Sequence, residues 1–372
     1  MADKTVNVHF LSQEELIEAG ALDMPACIQA MEDSFKLVGC GDFLLSGPSH
    51  SDHGARIFFP SEPRGPRMPI AGPDRRFMAL VGYLGGEFHI AGEKWYGSNI
   101  ENPAKHSLPR SVLMIVLNDP DTCAPLVIMD GNLISAMRTG AVIGLGVKYL
   151  ARSGADTAGI IGAGVISKTS LMALAAGMPD LKKVKLFDIN PKRAQAFCEE
   201  MESKLGVDVY AVKSLEEAVD DADAVSTATA GSNPPVFKDE WFKPGSYFGL
   251  SADTQIEKKM WLNTTIVADY WPMHINIRHD REKLAQDISW RPLHWSLHQL
   301  IMNKEIKDSS IVELSEIVAG KISDRNSVND RTIMATGGMI TEDIAWAWRL
   351  YQKAREKGLG HSLKLWDQPY WT

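Results

Sequence analysis

The segment Gly162-Ala-Gly-Val-Ile-Ser follows the apolar run Thr157-Ala-Gly-Ile-Ile and opens a helical stretch, Val165–Ala176. Glycines at a strand-to-helix turn permit a tight reversal at Gly162 and close approach of an anion to the backbone at Gly164. The helix N-terminus adds free N–H groups and the positive end of its dipole. A lone G-x-G-x-x-G is a weak signal, and Ser167 occupies the third position here, although so small a residue still permits close helix–strand packing. The context strengthens it. Val184-Lys-Leu-Phe-Asp reads as the next strand and ends on Asp188, 26 positions past Gly162, where a ribose-binding carboxylate is expected. The competing reading is a glycine turn in an α/β protein that holds no cofactor; the ordered context favours a dinucleotide. Asp188 would accept bonds from the adenosine ribose and repel a 2′-phosphate, with Lys192 and Arg193 softening that repulsion, so NAD is expected rather than NADP. Val165, Ile166 and Ile189 flank these positions and join the candidate cofactor contacts.

Strand and helix patterns alternate from about Leu133: a helix over 134–151, then strands at 157–161, 184–188, 207–212, 222–228, 247–251 and 266–269. Such alternation predicts a parallel sheet with crossover helices. Before it, a capping box at Ser12 and a helix over 26–38 lead through a loop-rich stretch, 47–73, into strands at 77–83, 88–92, 111–117 and 125–131. A helix over 340–357 and an aromatic tail close the chain. At 372 residues, two domains are the natural expectation.

The net charge of -8 and pI near 5.7 argue against nucleic acid or an anionic membrane as partner. Cys27, Cys40, Cys123 and Cys198 are scattered, without metal spacing, which suits a reducing compartment. Neither a secretory pattern at the start nor an apolar run near the ~20 residues of a membrane span is apparent, so a cytoplasmic location is expected. His294 and His298 stand at i, i+4 spacing, with His274 and His279 upstream. Without an acid–His–His signature these read as packed or surface histidines, and no metal is expected.

Six ordered blocks then carry a resemblance: Ala91-Gly-Glu-Lys-Trp-Tyr, Ser135-Ala-Met-Arg-Thr-Gly-Ala, Gly162-Ala-Gly-Val, Ser251-Ala-Asp, Ile317-Val-Ala-Gly-Lys and Thr336-Gly-Gly-Met-Ile-Thr-Glu-Asp. Through them the chain resembles the ornithine cyclodeaminase/mu-crystallin family along nearly its whole length. The resemblance implies an α/β fold in which a Rossmann doubly wound parallel sheet (134–329) is inserted in a second, α+β substrate and dimerisation domain (1–133 plus 330–372), with a homodimer as the assembly. It further implies hydride transfer between a nicotinamide and an amino-acid carbon bearing nitrogen. Lys94 matches the lysine beside the substrate, Arg138 the arginine that grips its carboxylate, and Asp253 the catalytic acid. Arg56 matches a second carboxylate-binding arginine. Thr139 and Arg138 would face the cofactor phosphates; Thr229 with Gly249, Leu250 and Ser251 would line the nicotinamide side; Gly337 would close over it. Taken alone, Lys94 also reads as a solvated strand lysine, and Asp253 as a helix cap.

Departures from the family pattern bear on the substrate. Glu257 stands where the family places a lysine, and Arg110 where ornithine cyclodeaminases carry a threonine; Arg110 is read as an additional cofactor contact. Extra material lies around 39–76 and 287–298. If Glu257 reaches the pocket, it and Asp253 make an acidic end suited to a polar or cationic substrate tail. The leading expectation is an NAD-dependent amino-acid dehydrogenase or imine reductase acting on a small amino acid, keto acid or imine. The alternatives are a cyclodeaminase and a crystallin-like binder without turnover.

Overall fold

The computed structural model describes residues 5–72, 74–230, 233–284, 290–323 and 327–371. They form two eight-stranded sheets and a small two-stranded one. The first large sheet is mixed, in the order His361–Trp366, Val6–Leu11, Pro125–Asp130, Ser111–Asn118, Ile90–Ser98, Arg76–Leu84 and Phe43–Leu45, with Ala55–Phe58 also paired to Arg76–Leu84. Alternation along its central strands buries Met78, Leu80, Leu84, Ile90, Ile115 and Leu117 on one face. The other face leaves Phe77, Val81, Trp95, Val112 and Met114 exposed.

Helix Ile340–Glu356 packs on the buried face. Gly82 and Gly92 make that approach possible: a Cβ at either would lie 2.5 Å from Ile340 Cγ2 or 2.8 Å from Ile344 Cγ2. Strand Val6–Leu11 and the edge strand His361–Trp366 that pairs with it add to the expected strands. The latter is exposed along its whole length, so no burial pattern marks it. Ala55–Phe58 likewise lies within the stretch expected as loop.

The second sheet is all parallel, in the order Asp208–Ala211, Lys183–Phe187, Thr157–Ile161, Ala224–Thr227, Tyr247–Leu250, Thr332–Ala335, Thr265–Ala268 and Val312–Glu313. The strands at 157–161, 224–227, 247–250 and 332–335 are buried at every residue, as expected for strands covered on both faces. The first five strands run in the doubly wound 3-2-1-4-5 order, which places the topological switch between Ile161 and Thr227. Thr332–Ala335 belongs to this sheet, so the chain returns to the first one after Ala335 rather than at residue 330.

Helix Asn132–Leu150 joins the two sheets. It is long and apolar enough to cross a membrane by composition, but most of its residues are buried inside the protein. It presses on helix Val165–Gly177, where a Cβ at Gly140 or Gly144 would lie 2.4 Å from the Thr169 carbonyl carbon or 2.7 Å from Ala173 Cβ.

Candidate active site

Lys94 sits mid-strand on the buried face, paired with Leu80 on one side and Ile115 on the other. A lone ammonium there would be costly. Helix Ile340–Glu356 supplies the counter-charge: Lys94 Nζ donates to Asp343 Oδ2 at 2.6 Å. The other oxygen of Asp343 accepts Arg138 Nε at 3.1 Å, and Glu342 accepts Arg138 Nη1 at 2.5 Å. All four side chains are buried, so two cations and two carboxylates form a closed set. Glu342 and Asp343 stand within a block that carries the resemblance. Their role was legible only once that helix was seen against Lys94 and Arg138.

Burial, reinforced by the Arg138 charge and opposed by Asp343, lowers the Lys94 pKa to about 8. Burial would also lower Arg138, but Asp343 and Glu342 outweigh it and hold this guanidinium above its ordinary range. Glu342 is pushed up to about 7 by burial, against the pull of Arg138.

A cavity of about 260 Å³ opens in front of these groups. Lys94, Arg138, Arg56, Arg76 and Arg291 line it, and among the described residues no Asp or Glu does. Arg56 donates to Asp280 at 3.0 Å, lies 2.7 Å from His53 Nδ1, and rests 5.0 Å from the Trp290 ring centroid. Gly337 forms part of the wall. The N–H groups of Gly337 and Gly338 donate to Asp269 at 2.6 and 2.7 Å. Gly338 has φ +83°, and a Cβ there would lie 2.5 Å from Arg138 Nη1, so this turn has no room for a side chain. Asp269 also lies 2.7 Å from Nε2 of His274, another lining residue; although burial opposes it, His274 and the N–H groups of Gly338 and Tyr270 hold Asp269 down at about 2.

The glycine turn lies at the switch point of the parallel sheet. Gly162 has φ +95°, and a Cβ there would meet the Ala228 carbonyl at 3.0 Å and Thr229 Cγ2 at 3.4 Å. Gly164 begins helix Val165–Gly177 without a side-chain cap, leaving first-turn N–H groups for an anion. Asp188 accepts the Ala163 N–H at 2.7 Å and the Asn190 N–H at 2.8 Å, which ties the second strand to the turn. Val165 and Ile189 are 65% and 91% exposed, apolar surface at the mouth of the cleft. The Oγ atoms of Ser226 and Ser251 and Oγ1 of Thr227 are buried at the strand ends without a partner. These features fit a dinucleotide. The Thr139 hydroxyl bonds back to the Ser135 carbonyl at 2.7 Å.

Other expected positions fall elsewhere. Asp253 lies half-buried near the backbone of His294 and Trp295 and is not in the cavity lining. Burial raises its pKa, against the pull of nearby backbone N–H groups and the Arg291 charge. Glu257 accepts the Asp239 N–H at 3.0 Å, outside the cavity; the expected acidic end is not there. Arg110 donates to buried Asp74 at 2.5 Å on the first sheet. Gly249 turns to Ile143, 3.0 Å from its would-be Cβ, and the Leu250 side chain lies in the core. Each of these follows from tertiary packing that the motifs do not encode.

The expected histidine pair is buried: His294 Nε2 lies 3.0 Å from the Thr336 carbonyl, and His298 stacks on Trp271 at 5.6 Å. No cluster able to hold a metal occurs among the described residues. The residues 285–289 of the second extra segment lie outside the described ones. No local motif marks His53, Arg76, Tyr96, His274, Arg291 or the Glu342–Asp343 pair as site residues; tertiary packing brings them there.

Comparison with known proteins agrees with this geometry. The chain is 28% identical over 293 residues to N-((2S)-2-amino-2-carboxyethyl)-L-glutamate dehydrogenase of Staphylococcus aureus, covering 78% of this chain and 82% of that protein. It is 28% identical over 357 residues to alanine dehydrogenase of Archaeoglobus fulgidus, covering 95% and 97%. Among solved structures, Thermococcus litoralis Delta(1)-pyrroline-2-carboxylate reductase in complex with NADH and L-proline superposes with a TM-score of 0.79 at 28% identity, covering 96% of this chain and all of that one. The model of the ornithine cyclodeaminase/mu-crystallin family matches residues 22–358, and the chain belongs to that family.

Proposed function

We propose that this protein is an NAD(H)-dependent oxidoreductase that moves hydride at the carbon–nitrogen centre of an amino acid or its imine. The observation that carries the reading is Lys94, a buried lysine with a pKa near 8, set beside Arg138 in a cavity walled by Gly337. When bound, NAD supplies the hydride acceptor or donor. The chain's own residues do the rest. Arg138 has Nε and Nη1 held by two carboxylates and offers Nη2 to a substrate carboxylate. Lys94 Nζ holds a proton it can release or recover near neutral pH, and Arg56 adds a second carboxylate contact. Asp253, outside the cavity lining, is assigned to positioning the 291–295 segment rather than to proton transfer.

The curated relatives support this reading, since two named above are dehydrogenases, and the T. litoralis neighbour holds NADH. On this reading the mixed sheet, residues 1–133 with 336–372, is the substrate and dimerisation unit, and the exposed Phe77–Trp95 face pairs with a second copy. Four free cysteines fit a cytoplasmic setting. The test is absorbance of reduced nicotinamide with a panel of amino acids, and of keto acids with ammonia or other amines. Stoichiometric change in the cofactor is expected. Ring closure with ammonia release and no net change would make the protein a cyclodeaminase instead.

A further inference from the structure

Cross-strand register sorts the floor of the cavity into rows. Leu80 pairs with Lys94; Arg56 with Met78, Met78 with Tyr96, and Tyr96 with Leu113; Arg76 with Ser98. Paired residues share a face, and successive rows on one face lie about two residues, or roughly 6.6 Å, apart. The cavity therefore has Lys94 in one row, Arg56 and Tyr96 in the next, and Arg76 in the third. Met78 and Leu80 give the floor an apolar middle.

Both ends of this floor are cationic. Lys94 and Arg138 occupy one. At the other, Arg76 lies 5.3 Å from the Tyr96 ring centroid and donates to Tyr96 Oη and to Asp74. Asp74 also receives Arg110, so one carboxylate faces two guanidinium groups and this end keeps net positive charge. Nε of Arg76 is buried without a partner. Arg291 enters from the 290–294 loop and lines the same cavity; its charge acts on Asp253, which is not in the lining, and among the described residues it makes no ion pair within 4.0 Å. A substrate with only an α-carboxylate engages the Lys94–Arg138 end and leaves the second guanidinium charge shared on Asp74, and Arg76 Nε, without an anion of their own.

We infer that the substrate carries a second carboxylate on its side chain, received by Arg76 and Arg291, so that the substrate class is an amino dicarboxylate or its keto or imino form. This rests on the reading that the protein acts on amino acids or imines. It reverses the polarity that Glu257 would have brought.

Matched pairs test it on the full-length protein with NAD or NADH: aspartate against asparagine, glutamate against glutamine, and, with ammonia, oxaloacetate against pyruvate and 2-oxoglutarate against 2-oxopentanoate. The dicarboxylate of at least one pair should show kcat/KM about tenfold or more above its partner, the scale of one charge-assisted contact. Arg76→Met and, on the exposed loop where folding is not at issue, Arg291→Gln should each narrow that ratio by raising KM for the dicarboxylate. Equal or better turnover of the monocarboxylates overturns the inference, as does a ratio unmoved by Arg291→Gln. If no pair changes the cofactor, the oxidoreductase reading fails. Calorimetry of the same pairs on the NADH-loaded protein then decides the charge preference: tighter dicarboxylate binding upholds it, and equal binding overturns it.

Discussion

Lys94 Nζ lies 2.6 Å from Asp343 Oδ2, although 249 residues separate the two in the chain. The same carboxylate reaches Arg138, so one aspartate fixes two of the cations that face the cavity. Replacing Asp343 with Asn leaves two buried cations with one fewer anion. Removing one partner of a buried pair costs about 3–5 kcal/mol. Urea denaturation of Asp343→Asn should show a loss on that scale. Its pH–rate profile should also move to lower pH, because Asp343 is what raises the Lys94 pKa against burial. An unshifted profile would place Asp343 outside the proton-transfer apparatus.

The Lys94 pKa near 8 sets the sign of the pH dependence. Oxidation of an amine needs neutral Lys94 to accept a proton, so its rate should rise with pH through about 8. Reduction of an imine needs the protonated form, so that rate should fall through the same region. Lys94→Met should flatten both limbs and leave NADH affinity near that of the parent protein, measured by fluorescence titration.

Asp188 governs cofactor choice in this reading. The unaltered protein should bind NADH more tightly than NADPH. Asp188→Ser should narrow the gap by about tenfold, the scale of one charge-assisted hydrogen bond. Because Asp188 also anchors the Ala163 N–H, the serine variant should weaken both cofactors somewhat. Tighter NADPH binding by the parent would overturn the assignment.

The outer face of the mixed sheet carries a test of assembly. Phe77 and Trp95 stack at 5.6 Å, and each is 38% exposed, as are Val81, Val112 and Met114 to 46–49%. Contiguous apolar surface of this kind marks an interaction site. Light scattering should give twice the chain mass for the parent protein, and Trp95→Glu should shift it to the monomer while NADH binding survives. A parent monomer at micromolar concentration would refute the dimer.

The parallel sheet was readable from the sequence because its signals are local. Gly162 needs φ +95°, Asn190 caps the next helix, and the central strands are uninterrupted apolar runs. The edge strand His361–Trp366 was not readable, because an exposed strand satisfies its backbone bonds without an apolar pattern to announce it. The same division runs through the site. Motif order marked Lys94 and Arg138, since each sits in a block whose spacing the backbone fixes. The partners of these cations, the place of Asp253 outside the cavity, the outward turn of Glu257 and the second cationic end at Arg76 depend on which distant elements meet. Register across Arg76–Leu84 and Ile90–Ser98 aligns Arg76, Tyr96 and Lys94, and helix Ile340–Glu356 brings Asp343 within 2.6 Å of Lys94. Burial in that contact sets the lysine's pKa. The sequence by itself determined the glycine turn of the dinucleotide fold and marked Lys94 and Arg138; the charge of the cavity was decided by long-range packing, because electrostatics at a buried group depends on every neighbour in space.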